Sequence, residues 1–412
     1  MSVGTASNEA VPLSFGQQGI LLSKLRAAPG SANQYVRLPL DPQPTSEASI
    51  RRFLQLLIAR NDALRATLVR SRGGAGLVFR SADAAAEPLD LVLDRVIDEH
   101  LLSTEFKRGG PLFAAAVDAR DPGAVHLVID HLVFDGWSHT LLVEEAARIW
   151  RLVALGEELP PPRGSLQSYM ERTASELGGL DDYTRYWRRA FEHDLTVEIP
   201  RRGHTTWQHI LFPCPGAIRD KLTHARRQFR TTDFAIIAAA FTTALLAHTS
   251  AQRSLLIYSP VADRDEATLD TIGCLLNFVG IRINLGVSIA ETIETTRDGL
   301  IGALAHQHGP FFKVLPRTGS GALVTAQAYL LPTEELSHFP GTTTAMPASA
   351  ADPWVLEECS PRPLGDLWFA FAHTRSGYCA ELAFSNEYLD EETGFEIIRA
   401  LLDVLMFGLA AG

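Results

Sequence analysis

Of the 13 histidines in the chain, His131 has the setting most suggestive of chemistry. It lies in Val125 to Ser138, VHLVIDHLVFDGWS, where an apolar β-branched run is followed at once by Asp130, His131, Asp135 and Gly136. An imidazole with an ordinary pKa of about 6.5 can take a proton from an amine or hydroxyl at neutral pH and pass it on. No Ser or Cys stands nearby in a nucleophile-elbow motif. The pattern therefore suggests direct transfer, in which an acceptor attacks an activated acyl group while His131 receives or steers its proton. Asp135 lies four positions on, and a buried carboxylate needs a positive charge of its own. Its candidate partners, in order, are Arg282, Arg264 and Arg65. On that reading Asp135 shapes the loop, and Gly136 makes the turn permissive. Two plainer readings stay open. His131 can be a satisfied structural residue, or Asp130, His131 and Asp135 can be metal ligands, although no second ligand-rich segment completes a shell.

The elements that would position His131 are readable on either side of it. Residues 125 to 129 form a buried strand, and from Ser138 the period changes, with Leu141, Leu142, Ala146, Ile149, Trp150 and Val153 on one helical face. Ser138 is placed to cap that helix. Upstream, Ser14 and Gln17 make a capping box for a helix to about Leu25. A strand over 35–40, a helix over 46–61, a strand from Ala63 to Val69 and its partner at 77–80 follow. Then come a loop over 81–90, a helix over 92–103, and a hairpin pairing 112–119 with 124–129. In the second half, strands are expected at 207–212, 255–259, 368–373 and 377–384. Helices are expected at 216–228, 232–248, 289–307 and 391–407. Tyr183, Tyr186 and Trp187, at helical spacing, read as packing. The lobe boundary falls between 160 and 200, and no phosphate loop or dinucleotide fingerprint is present.

Composition narrows the class. A chain of 412 residues, 46% hydrophobic and 21% charged, suits a two-domain globular body. With 37 basic and 48 acidic residues the net charge is −11, and no concentrated positive stripe marks a nucleic-acid surface. Arg201-Arg202 and Arg226-Arg227 read as solvated charge that could also meet an acidic protein partner. Cys214, Cys274, Cys359 and Cys379 are scattered and read as free thiols in a reducing, cytoplasmic setting. No secretion signal opens the chain. The most apolar helix, Phe234 to Ala247, is too short to span a bilayer, so no membrane partner is expected.

IDHLVFDGWS resembles the HHxxxDG signature of nonribosomal peptide synthetase condensation domains, with Asp130 where the first histidine usually stands. PLSFGQQGILL at 12–22, RNDALRATL at 60–68 and GGPLFAAAV at 109–117 match further segments in the family's order. SPVADRDEATLDTIGCLLNFVGIR at 259–282 resembles the family's SPxxNR…IGxFVNxxxxR segment. The resemblance covers nearly the whole chain and implies an α/β, chloramphenicol-acetyltransferase-like pseudodimer. Its two lobes, 1–170 and 171–412, would form a V around a central tunnel. The loops at 316–321 and 341–353 would bridge the lobes.

By that resemblance His131 is the catalytic histidine, and Gly136 offers a backbone N–H to the developing oxyanion. Asp130, Asp135, Arg282, Arg264 and Arg65 are structural at the site, while Ser138, Trp137 and Asn277 line the tunnel. The implied reaction joins an acyl group on a carrier protein's phosphopantetheine arm to an amine or hydroxyl, giving an amide or ester in natural-product or antibiotic biosynthesis. No metal and no permanently bound cofactor is implied. The partners are an acyl or peptidyl carrier protein and a free or carrier-bound acceptor, and the chain is a free-standing monomer. Asp130, Asp135 and Ser138 also fit the DxxxxDxxS pattern of heterocyclisation domains. An acyl-coenzyme A-dependent acyltransferase and an inactive docking module are the other readings.

Overall fold

The strand, turn and helix around His131 recur in the computed structural model, which describes residues 9–25, 30, 32–41, 46–71, 74–82, 104–155, 157–162, 164–175, 181–192, 196–199, 206–314, 324–330, 354–356, 366–374 and 377–410. The helix expected at 92–103, the loops at 316–321 and 341–353, Arg201-Arg202 and Cys359 lie outside these residues. The chain divides into two compact units, Met1–Gly179 with Ala262–Asn277, and Leu180–Val261 with Phe278–Gly412. A single cut between 170 and 171 does not describe this division, because 262–277 leaves the second half to complete the first.

In the first unit the order is β1 (Val11–Pro12), α1 (Phe15–Lys24), β2 (Asn33–Pro39), α2 (Glu47–Arg60), β3 (Ala66–Ser71), β4 (Gly74–Phe79), β5 (Phe113–Asp118), β6 (Asp121–Asp130), α3 (Gly136–Leu155) and α4 (Leu166–Ser175). The strand expected from Ala63 begins as a 3₁₀ turn over Asp62–Arg65, and α4 was not anticipated. Two antiparallel sheets form, in the orders β2-β6-β5 and β1-β4-β3. β6 is central in its sheet, and Val125, Leu127 and Ile129 are fully buried, as their β-branched and apolar run requires. The apolar side of α2, with Ile50, Phe53, Leu54, Leu57 and Ile58, is buried as well. Phe53 meets Trp150 of α3 edge-on at 5.7 Å.

The capping box on α1 is closed in both directions. Gln17 N–H donates to Ser14 Oγ at 3.3 Å, and Ser14 N–H donates to Gln17 Oε1 at 2.9 Å. One residue earlier, Gly16 sits so close to Leu276 that a Cβ there would fall 1.6 Å from the Leu276 carbonyl oxygen. Backbone cannot step aside as a flexible side chain can, so Gly16→Ala is expected to cost about 3 kcal/mol, the upper end of ordinary overpacking. Thermal melting checks this, and an unchanged melting temperature would contradict the close approach.

The second unit runs α5 (Asp181–Ala190), β7 (Trp207–Pro213), α6 (Ala217–Phe229), α7 (Asp233–Thr249), β8 (Ser254–Ala262), β9 (Leu276–Asn284), α8 (Ile289–Leu304), α9 (Phe311–Val314), β10 (Val324–Leu330), β11 (Trp354–Leu356), β12 (Leu367–Thr374), β13 (Gly377–Ser385) and α10 (Glu391–Met406). Its strands form a mixed sheet in the order β11-β7-β13-β12-β10-β8-β9, with β10 parallel to both β8 and β12. α7 is buried on nearly all sides, and its Phe241 stacks on Phe369 at 4.2 Å. That explains its uniform apolarity. No single helix among the described residues is long and apolar enough to cross a membrane, and α6 and α7 meet at 103°. On α5, Trp187 is fully buried and donates to the His306 carbonyl at 3.2 Å, while Tyr186 stacks on the His306 ring at 3.9 Å.

Candidate active site

The loop after β6 is tied down on every side before His131 is considered. His131 N–H donates to the Ala32 carbonyl at 3.2 Å, and Val133 N–H to the Asp130 carbonyl at 3.0 Å. Asp130 Oδ1 accepts from Leu132 N–H at 3.0 Å, and its buried carboxylate forms an ion pair with the partly exposed Lys24 at the end of α1. Gln17 Nε2 donates to the Leu132 carbonyl at 2.7 Å. Thus α1 holds the loop through two side chains. Neither was marked by spacing, because Gln17 read only as a cap and Lys24 carried no local pattern.

Within that frame His131 Nδ1 lies 2.6 Å from the Phe134 carbonyl oxygen. A carbonyl can only accept, so Nδ1 carries the proton and the lone pair of the neutral ring is on Nε2. Nε2 has no protein partner among the described residues. Burial pushes the imidazole pKa below its ordinary value. The Phe134 carbonyl and the Asp135 and Asp130 carboxylates pull it back in part, and Lys24 adds to the lowering.

Only the neutral ring can accept a proton. The acid limb of any rate that depends on His131 is therefore expected below pH 6.5. The unfolded chain binds this proton more readily than the folded one. The stability contribution is thus complete above about pH 6.5 and is lost as pH falls toward the folded value. A rate profile with its acid limb above pH 6.5 would contradict the depressed pKa.

Asp135 does not reach out toward substrate. Its Oδ1 accepts from Ser138 N–H at 2.9 Å, and its Oδ2 from Leu275 N–H at 2.9 Å. Arg264 Nη2 lies 3.0 Å from both oxygens, with the two side chains 2% and 6% exposed. The cation is therefore Arg264, the second of the three candidates. Arg282 instead donates to the Ala190 carbonyl in the other unit, and Arg65 is spent on the carbonyls of Ile58 and Arg80. Arg264 is itself fixed through Nη1 to the carbonyls of Thr268 (3.1 Å) and Thr271 (2.6 Å).

Ser138 differs from expectation in two ways. α3 starts at Gly136, so Asp135 occupies the capping position and Ser138 sits inside the first turn. Its side chain is fully buried. Its oxygen accepts from Gly273 N–H at 2.9 Å and lies 2.7 Å from both Asp135 Oδ1 and the Gly273 carbonyl oxygen, which share its one proton. That hydroxyl is structural and lines no open space. Trp137 is half exposed, donates to the Leu269 carbonyl at 3.0 Å, and lies with its ring 5.7 Å from the Arg264 guanidinium carbon. Asn277 is buried near the start of β9.

Gly136 is not required by a left-handed turn, since its φ is not positive. A Cβ built on it would meet nothing within 4 Å, and the residue is exposed. As the first residue of α3 its N–H has no partner within the helix, and it stands at the positive end of the helix dipole. Beside the loop that holds His131, the backbone thus offers a hydrogen-bond donor at an exposed residue with room for a Cβ.

No group of three or more His, Cys, Asp or Glu among the described residues could hold a metal ion. The two carboxylates flanking His131 are each matched to a side-chain cation, which accounts for them without one. Burial pushes the Cys379 thiol up to about 12 and raises Cys214 and Cys274 as well, so none is a ready thiolate.

Comparison with known proteins bears on the family and the fold. Malpinin synthetase of Mortierella alpina is 27% identical over 331 residues, covering 74% of this chain and 4% of that protein. The chain thus spans a small fraction of the curated relatives it matches. The X-domain from teicoplanin biosynthesis superposes with a TM-score of 0.76 at 18% identity, covering 99% of this chain and 97% of that one. The first condensation domain of the calcium-dependent antibiotic synthetase gives 0.69 at 19% identity, covering 97% and 98%. The fold is accordingly the two-lobe, chloramphenicol-acetyltransferase-like pseudodimer. The condensation-domain family model matches residues 7–322, and the chain belongs to that family.

Proposed function

We propose that this chain is an acyltransferase that condenses an acyl group, carried as a phosphopantetheine thioester on a carrier protein, with an amine or hydroxyl acceptor. The observation that carries the proposal is the fixed tautomer of His131, with Nδ1–H on the Phe134 carbonyl and Nε2 left as a free base. In this scheme Nε2 takes or steers the acceptor's proton as its nitrogen or oxygen attacks the thioester carbonyl. The Gly136 N–H stabilises the negative charge that develops on the carbonyl oxygen. Collapse of the tetrahedral species forms the amide or ester and expels the phosphopantetheine thiolate, which receives the proton. Asp130 and Asp135 hold the loop and take no part in proton transfer. That disfavours a cyclisation scheme in which they would act on substrate.

The test is intact-mass spectrometry of an acyl-loaded carrier protein incubated with the chain and a panel of amines and alcohols, beside the His131→Ala protein. Unloading that needs both His131 and an acceptor supports condensation. Turnover of acyl-coenzyme A alone would move the chain to carrier-independent transfer, and no turnover of either donor would leave an inactive docking module. Gly136→Ala sharpens the result. With open space around the position, its unfolding free energy is expected to stay within about 0.5 kcal/mol of the parent's. Its turnover is expected to fall, because the new methyl stands where the reacting carbonyl approaches.

A further inference from the structure

In a chain of net charge −11, the segment from Ala217 to Arg230 carries Arg219, Lys221, Arg226, Arg227 and Arg230 against a single acid, Asp220. Helix α6 buries Ile218, Leu222, Ala225 and Phe229, which anchor it rigidly, and the Phe229 carbonyl accepts from Arg297 Nη1 at 3.2 Å. All four arginines of the segment are exposed. Arg226 is engaged at 3.3 Å by Asp233, while Arg227 and Arg230 have no acidic partner among the described residues.

The helix dipole does not account for this concentration. One or two cations in the last turn satisfy it, and Arg226 and Arg227 are already there. Arg230 is the more telling residue. It ends the helix in the left-handed region, at φ 48° and ψ 51°, and is the one non-glycine residue with positive φ among those described. Glycine would take that position without strain. An arginine kept there, with its side chain in solvent, points to a use for the charge.

We infer that the exposed basic face of α6, centred on Arg226, Arg227 and Arg230, docks the acidic surface of a partner protein. Resting on the function proposed above, that partner is the carrier protein that brings the acyl thioester. The positive face supplies steering and orientation for an encounter that the rest of this acidic chain would oppose.

The experiment titrates dye-labelled holo acyl carrier protein and holo peptidyl carrier protein with the whole chain at low and physiological salt. Arg226→Glu/Arg227→Glu/Arg230→Glu is expected to weaken binding by about ten-fold or more and to flatten its salt dependence. Arg188→Glu/Arg189→Glu, on exposed positions of α5, is expected to leave it unchanged. Arg230→Gly should weaken binding while raising the melting temperature, whereas a merely structural residue would shift melting alone. Carrier binding by the triple variant equal to the parent's would overturn the inference. So would a parent that binds neither carrier, or that binds single-stranded RNA or phosphatidylglycerol vesicles in their place. Wild-type turnover of a small acyl-pantetheine thioester, read separately, tests the reaction itself, so failure of the docking face and failure of the proposed function are told apart.

Discussion

Arg264→Leu is expected to lower the unfolding free energy by about 3–5 kcal/mol, because it leaves the Asp135 carboxylate buried without its cation. The loss is larger than for a surface ion pair, since Arg264 and Asp135 are only 2% and 6% exposed and share no solvent to soften the change. The Thr268 and Thr271 carbonyls lose their guanidinium donor at the same time. Thermal melting followed by circular dichroism measures the loss. Asp135→Asn is expected to be destabilising too. The double variant should fall short of the summed single losses by about 1–3 kcal/mol, as residues in one network do. Strictly additive losses would show that the pair is not coupled.

His131→Ala is expected to lower turnover by about 10²–10⁴-fold, the usual contribution of one positioned general base. That corresponds to about 3–5 kcal/mol in the barrier. The fold should survive, because the loop holding His131 is fixed by backbone hydrogen bonds and by Lys24, Gln17 and Asp130, and the ring contributes one hydrogen bond within its own turn. The measurement is single-turnover transfer from a loaded carrier, with the melting temperature of the same sample. His131→Gln separates two roles, since glutamine can donate to the Phe134 carbonyl but cannot act as a base near neutral pH. Restored turnover in that variant would make His131 a loop-shaping residue and nothing more.

Much of the local structure was legible because its causes are local. The capping box at Ser14 and Gln17, the apolar face of α2 and the buried run of β6 each follow from side-chain spacing within one element. The cap of α3 was misplaced by three residues because Asp135 and Ser138 are both good capping types, and the apolar periodicity starts only at Leu141. What decides between them is Gly273, whose backbone engages the Ser138 hydroxyl from far along the chain. The same limit explains the choice of Arg282 over Arg264. Any of three arginines satisfies the charge requirement, and only the return of 262–277 to the first unit selects one. The pairing of Lys24 with Asp130 had no local signal for the same reason.

The return of Ala262–Asn277 to the first unit also sets an order of events during synthesis. Asp135 leaves the ribosome 129 residues ahead of Arg264. At about 5–20 residues per second, the carboxylate waits on the order of ten seconds for its cation. Over that interval the nascent first half lacks the arginine and the Leu275 N–H that close the loop beside His131. A gene fragment ending near residue 180 would encode the histidine but not the clasp that holds its loop. Exchange of the two halves between related genes must therefore carry 262–277 with the first half, or supply a matching clasp from the new second half.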